Sequence, residues 1–450
     1  MVSYVELFAE SEGIDKRDSR RDPGPFGPKQ ISGYHDGSQF RLAALRLTAA
    51  RSRGSPPPLR EREGMALEVV RIPGSLDGWS TEEGQHLPSI LEEFLFSWMR
   101  SRYMPSVTVA VSKDGELKYG SAFGYLDVRA RRQALLENLY QVGSISKPIA
   151  GVAVYRLIET GLLQNIDQPV FGEGALLGTK FGTKPYNELL RSVTVRHLLE
   201  HTIAEWGRPT ELIFSYPFHN GYNASELIDV ALDNFELRVA PGEAPQGYCN
   251  FCFTVLGAVT EELTGSDLET AMEGLVFGPC GMRQVETEPG TYQGRRDGEA
   301  VYYDRRLFQV YNCPNPDQYL AAGGWVMSMT DLLRFAACSD GLPNKPDAIS
   351  ASLRREMLTP RFGTETGYAK GWSVNERSVD GRLVKTYGHS GTVMGAAHLV
   401  MLENGFAFTA AMNAFPHDAY SDLPNFAAAL GDAIRHFPDH DLFEESASDD

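Results

Sequence analysis

Residues 106–127 read SVTVAVSKDGELKYGSAFGYLD, and this stretch decides the fold. Apolar residues alternate with small and polar ones on both sides of Asp114-Gly115, a dipeptide suited to the left-handed backbone of a tight hairpin turn. Working outward, residues 88–103 (PSILEEFLFSWMRSRY) place Ile90, Leu91, Phe94, Leu95 and Trp98 at helical spacing and end before Pro105. A helix and a hairpin therefore open the packed part of the chain. The far end mirrors them: residues 371–391 alternate around Asp380-Gly381, residues 395–414 around Asn404-Gly405, and a closing helix is expected over 423–437. Between the two ends the patterns are mostly helical, over 144–161, 193–202, 223–235, 250–265 and 328–339, several closing on Gly. The expected fold is of the α/β class (α+β in arrangement). N- and C-terminal strands build one antiparallel sheet flanked by helices, with a mostly helical lobe inserted at roughly 150–340.

Composition narrows the partners. The 450 residues hold 42 Lys+Arg against 59 Asp+Glu, a net charge of −17 that repels phosphate backbones and anionic lipid headgroups. Nucleic acid and membrane surfaces are not expected partners. No window reaches the length of a membrane span, and the first residues lack the basic-then-apolar pattern of a secretory signal. Five cysteines, Cys249, Cys252, Cys280, Cys313 and Cys338, are sparse enough to suggest free thiols and a reducing compartment. A cytoplasmic enzyme is the expectation.

The charge is uneven. Residues 1–64 hold eleven basic and nine acidic side chains, are rich in Arg, Pro, Gly and Ser, and show no sustained apolar period. They are expected to be a disordered extension. The basic stretch 39–53 offers a second reading, a short targeting or partner helix. Residues 65–87 form a lead-in, 88–436 a single two-lobed domain, and 437–450 an acidic tail expected to fray.

Three short strings carry chemistry. Ser144 and Lys147, three apart at the start of an apolar helix, lie one turn apart on one face. A lysine so placed can take the serine's proton, and the helix end favours the developing negative charge. Tyr248 and Asn250 sit at a loop-to-helix junction, where a tyrosine near cations can act as a base and an asparagine can hold a carbonyl. His389-Ser390-Gly391, followed by Thr392, leaves a predicted strand and can bring backbone N–H groups close to an oxyanion. Each string alone has a plain structural reading as a helix cap, a buried tyrosine or a turn.

Their order, S-x-x-K, Y-x-N and H-x-G, resembles the serine β-lactamase and penicillin-recognising superfamily. The branch is that of class C β-lactamases, D-Ala-D-Ala carboxypeptidases, D-aminopeptidases and related esterases. Further similar strings run from 88 to 415, among them TVRHLLEHT, LGAVTEELTG, FGPCGMRQV, AAGGWVMSMTDLLRFA and YAKGWSV. The resemblance implies Ser144 as nucleophile, Lys147 and Tyr248 as its proton relay, and Asn250 as the group that orients substrate. It also implies Ser144 and Thr392 N–H groups as oxyanion hole, and His389, Ser390 and Gly391 in place of K-T-G. A histidine there is charged only below about pH 6.5 unless perturbed, so carboxylate recognition is expected to be weaker and more pH-dependent than with lysine.

The function implied is hydrolysis of an amide or ester in a small molecule or short peptide through an acyl-Ser144 intermediate. No metal or cofactor is called for, and oligomeric state is left open. Acyl transfer and a catalytically inactive binding scaffold are the alternatives. The string His197–His201 matches H-x-x-E-H, in which two histidines share a helix face and bind zinc, but it also reads as a segment bracing a helix and loop. Ser373-Val374-Asn375 is a rival S-x-N placed on a strand. Cys249-x-x-Cys252 has redox or metal spacing without a second pair of metal-ligand spacing. Trp206, Trp325 and Trp372 are candidates for the cleft edge or for the core.

Overall fold

The computed structural model describes residues 69–71, 80–81, 87–206, 222–243, 247–304, 307–310, 316–361, 364–379, 381–416 and 420–445. The expectations for residues 1–64, the stretch 39–53 included, and for 446–450 lie outside the described residues. In chain order the elements that build the fold are β1 (Val69–Arg71), α1 (Leu87–Arg102), β2 (Ser106–Lys113) and β3 (Glu116–Asp127), then α2 (Ser146–Glu159), α3 (Asn250–Thr264) and α4 (Met329–Ala337). They are followed by β4 (Gly367–Tyr368), β5 (Ser373–Val379), β6 (Arg382–Thr392), β7 (Ala396–Leu402), β8 (Phe406–Met412) and α5 (Asp422–Ala433).

The strands form an antiparallel sheet in the order β1-β3-β2-β8-β7-β6-β5-β4, with Arg132–Gln133 added beside β3. The N-terminal hairpin joins the C-terminal meander where β2 pairs with β8, Val107 opposite Met412. Asp114 and Gly115 adopt φ of 53° and 79°, the doubly left-handed turn that matches the twist of a hairpin. The two predicted C-terminal hairpins turn at Gly381, φ 79°, and at Asn404-Gly405, Gly405 at φ 83°.

Alternation along the strands sends two sets of apolar side chains to opposite faces. On one face Val107, Val109, Phe408 and Val400 pack with Leu91, Leu95 and Trp98 of α1 and with Phe426 and Leu430 of α5. On the other, Ala110, Leu399 and Ala411 pack with α2, α3 and α4 of the inserted lobe. The closing helix ends earlier than expected. Ile434–His436 leaves it as a strand paired with Ser80–Thr81.

Residues 437–445 are not frayed. The buried Lys118 ammonium donates to the carbonyls of Pro438 and His440, Asp441 accepts from the Leu117 N–H, and Leu442 is buried. A lysine buried on β3 needs oxygen partners, and this segment supplies them. The three tryptophans belong to the core and do not edge a cleft: Trp206, Trp325 and Trp372 are all buried, the last stacked on Phe335.

The cysteines also depart from expectation. Cys249 pairs with Cys252 and Cys280 with Cys338 as disulfides, their Cα atoms 5.4 and 5.2 Å apart. Spacing in sequence did not reveal the 280–338 pair because the fold brings together positions 58 residues apart. Cysteines joined in disulfides do not point to a reducing compartment. No helix among the described residues is long and apolar enough to cross a membrane.

Candidate active site

Ser144 lies in a short 3-10 turn, Gly143–Ile145, that runs directly into α2. Lys147, one turn further, is buried, with its Nζ 3.0 Å from Ser144 Oγ, 2.6 Å from Asn250 Oδ1 and 2.7 Å from the Ala322 carbonyl. The last two oxygens can only accept, so they fix two of the nitrogen's hydrogens. The remaining direction, towards Ser144 Oγ, suits either a third N–H of an ammonium or the lone pair of an amine. Tyr248 Oη stands 2.6 Å from the same Ser144 oxygen, and Lys147 Nζ is 4.7 Å from the centre of its ring. One serine oxygen is thus shared by the lysine one turn further on and by a tyrosine 104 residues further along the chain than the serine.

Tyr248 is presented at the start of α3, 37% exposed, and Cys249 behind it is the N-cap residue in an extended conformation. The Cys249 N–H donates to His201 Nδ1 at 3.2 Å, and the His201 ring lies 4.7 Å from that of Tyr248 and 4.4 Å from that of Tyr368. Burial first, then the charge of Lys147, holds His201 well below the ordinary histidine range, so it is neutral with Nδ1 as acceptor.

This placement dissolves the H-x-x-E-H reading. The helix Val195–Leu199 stops before Glu200, and His201 takes a left-handed φ of 54°, so the two histidines do not share a helix face. His197 instead turns its Nδ1 to the Thr194 N–H, 3.2 Å away, in a capping box. Glu200 is buried among Lys370, Arg361 and Arg196. Ser373-Val374-Asn375 is absorbed into β5, with Ser373 paired to Gly388.

The end of β6 closes the site by direct backbone contact. A Cβ on Gly391 would stand 1.8 Å from the Val142 carbonyl and 2.9 Å from the Ser144 N, and one on Gly143 would stand 2.6 Å from the Thr392 N. Only glycine at 391 and 143 lets the strand and the serine turn meet so closely that the Ser144 and Thr392 amides become neighbours. His389, buried, donates its Nδ1–H to the Ser390 carbonyl at 2.7 Å and has Nε2 3.4 Å from the Tyr368 hydroxyl. Burial, reinforced by Lys147, pushes it down to about 3. The expected onset of charge near pH 6.5 is therefore corrected: His389 is neutral through the physiological range.

Ser390 is the one predicted site residue turned elsewhere. It pairs across the strands with His398, and its Oγ is 2.7 Å from His398 Nδ1 on the face covered by α1 and α5. Side-chain alternation explains this, because His389 already points to the lobe. Tyr420 completes that rear cluster by accepting from Thr392 Oγ1 at 3.0 Å.

Sequence reading missed His201 as a support for Tyr248, and Tyr368 as the partner of His389. Both lay inside strings of family-like character, and their aromatic contacts depend on a loop-to-strand approach that periodicity does not encode. Gln141 was also missed. It receives no signal from its own neighbours, yet its Nε2 donates to the buried Glu288 at 3.0 Å and its Oε1 accepts from the Met394 N–H at 3.4 Å, joining the serine turn to the loop beyond β6.

Comparison with known proteins agrees with this architecture. Esterase EstB of Burkholderia gladioli is 31% identical over 208 residues, 42% of this chain and 50% of that protein. Penicillin-binding protein 4* of Bacillus subtilis (strain 168) is 24% identical over 314 residues, 66% of this chain and 65% of that protein. The chain thus spans half to just under two thirds of the length of these curated relatives. The solved structure of the D-amino acid amidase from Ochrobactrum anthropi SV3, complexed with L-phenylalanine amide, superposes with a TM-score of 0.61 at 19% identity, over 78% of this chain and 98% of that one. At that identity the likeness is one of fold. The family model described as Beta-lactamase matches residues 90–432, most of the chain and the whole of the constellation just described, so the chain belongs to the Beta-lactamase family.

Proposed function

We propose that the chain is a serine hydrolase that cleaves an ester or amide bond through an acyl-Ser144 intermediate. The observation that carries this is the position of Ser144 Oγ, 3.0 Å from Lys147 Nζ and 2.6 Å from Tyr248 Oη. In this reading Ser144 attacks the carbonyl carbon as its proton passes into the Lys147–Tyr248 pair, and the Ser144 and Thr392 N–H groups receive the oxyanion. Tyr248, at the open side, returns the proton to the leaving oxygen or nitrogen. Water then attacks the acyl carbon, and the same pair takes the water's proton and returns one to Ser144 Oγ. Asn250, its Oδ1 held by Lys147, is the group that orients the substrate carbonyl.

The neutral His389 supports a substrate without a carboxylate at β6, such as a simple ester or an amino-acid amide. A panel of p-nitrophenyl esters, D-amino-acid amides, D-Ala-D-Ala peptides and nitrocefin tests this. Esters or amides are expected to give the highest kcat/KM, with the carboxylate-bearing compounds at least about tenfold lower; the reverse order would contradict the reading. His389→Lys places a cation at the same point and is expected to raise the ratio of kcat/KM for carboxylate-bearing over neutral substrates by about tenfold at low salt. In the wild type, the pH profile of kcat/KM between 5 and 8 is expected to show no limb that His389→Gln removes.

A further inference from the structure

The two residues proposed to work beside Ser144 on α3 are interleaved with a disulfide. Tyr248 immediately precedes Cys249, and Asn250 lies inside the loop that Cys249–Cys252 closes. Both cysteines are buried. Among the described residues, five other helices begin on a residue whose side-chain oxygen accepts an N–H of the first turn: Asn187, Thr194, Asn223, Asp267 and Ser328. At α3 that place is taken by Cys249, whose Sγ receives the Cys252 N–H at 3.0 Å. Sulfur is a weak acceptor and cysteine is outside the favoured capping set, so the hydrogen bond alone would hold this turn poorly. The covalent link to Cys252 supplies what the missing oxygen does not.

We propose that Cys249 and Cys252 are positioning residues whose disulfide holds Tyr248 and Asn250 in register with Ser144 and Lys147, so that activity depends on their oxidation state. The inference rests on the proposed acyl-Ser144 chemistry. It concerns a short reach: Tyr248 Oη and Asn250 Oδ1 each stand 2.6 Å from their partners, and displacement by about 1 Å is enough to cost two orders of magnitude in rate. Reduction is a two-electron, two-proton step. A small dithiol such as dithiothreitol attacks one sulfur through a mixed disulfide, closes to its own cyclic disulfide, and leaves two protein thiols. Because both sulfurs are buried, the step is slow and needs local opening of the turn. The disulfide Cys280–Cys338, which joins other parts of the sequence, serves as an internal control.

The full chain is purified oxidised, incubated with dithiothreitol, and followed by peptide mass mapping of free thiols, ester kinetics, and hydrogen exchange over residues 247–256. As the 249–252 pair opens, kcat is expected to fall at least tenfold with KM changed less than threefold, and the first-turn amides of α3 to lose protection. Cys249→Ala/Cys252→Ala is expected to be slow whatever the redox condition. Cys249→Ser/Cys252→Ala restores an ordinary cap, so it is expected to recover most of the rate and to ignore dithiothreitol. Cys280→Ala/Cys338→Ala is expected to remain dithiol-sensitive. The proposal is overturned if mapped reduction of 249–252 leaves kcat unchanged, or if the double alanine variant matches the wild type. Should the oxidised enzyme turn over no ester, the hydrolase reading fails by itself. Exchange over 247–256 then decides this proposal, with loosening on reduction supporting it and unchanged protection overturning it.

Discussion

Ser144→Ala is expected to lower kcat on the best substrate of the panel by about four to six orders of magnitude. The oxygen it removes lies within hydrogen-bond distance of both Lys147 Nζ and Tyr248 Oη, so the proposed proton relay loses the hydroxyl it activates. The fold should be almost indifferent. Lys147 keeps Asn250 Oδ1 and the Ala322 carbonyl as acceptors, and one lost hydrogen bond at a partly open site is worth about 1 kcal/mol. Steady-state kinetics beside thermal unfolding separates the two effects. A variant that retains activity within tenfold of the wild type would remove Ser144 from the chemistry.

The second large effect is expected from Gly391→Ala. A Cβ there would stand 1.8 Å from the Val142 carbonyl oxygen, far inside contact distance, and both partners are backbone, so neither can rotate away. Strand β6 and the serine turn must separate, which carries the Thr392 N–H away from that of Ser144. Loss of one oxyanion donor typically costs about 10²–10³ in kcat, and overpacking adds about 1–3 kcal/mol of destabilisation. Gly274→Ala is the matched control. Nothing lies within 4 Å of its Cβ position and it is exposed, so kcat should be unchanged and stability within about 0.5 kcal/mol. If Gly391→Ala behaved like that control, the close approach of the two backbones would have no catalytic meaning.

Much of this is legible in the sequence. Hairpin turns announce themselves chemically, and Asp114-Gly115 and Asn404-Gly405 stand where alternation breaks, so the sheet and its two-ended origin followed from local pattern. Ser144 and Lys147 are close because a helix makes them so. Features that depend on approach between distant elements were not legible. The left-handed His201 ends a helix that the H-x-x-E-H spacing assumes to continue, and nothing in the five-residue string encodes the break. Ser390 reads as a substrate contact from its place beside His389, yet strand alternation turns it to His398. The charge state of His389 is set by burial and by Lys147, neither of which neighbours it in sequence. Residues 437–445 look like a polar tail until the buried Lys118 that they satisfy is seen.

The central claim is that Ser144 is a nucleophile activated by Lys147 and Tyr248. Incubation with a fluorophosphonate probe at pH 7, followed by intact mass and peptide mapping, tests it most directly because it needs no knowledge of the natural substrate. One adduct per chain is predicted, located on Ser144, absent from Ser144→Ala and formed at least about a hundredfold more slowly by Lys147→Met. No adduct on Ser144, or an adduct that persists in Ser144→Ala, would contradict it.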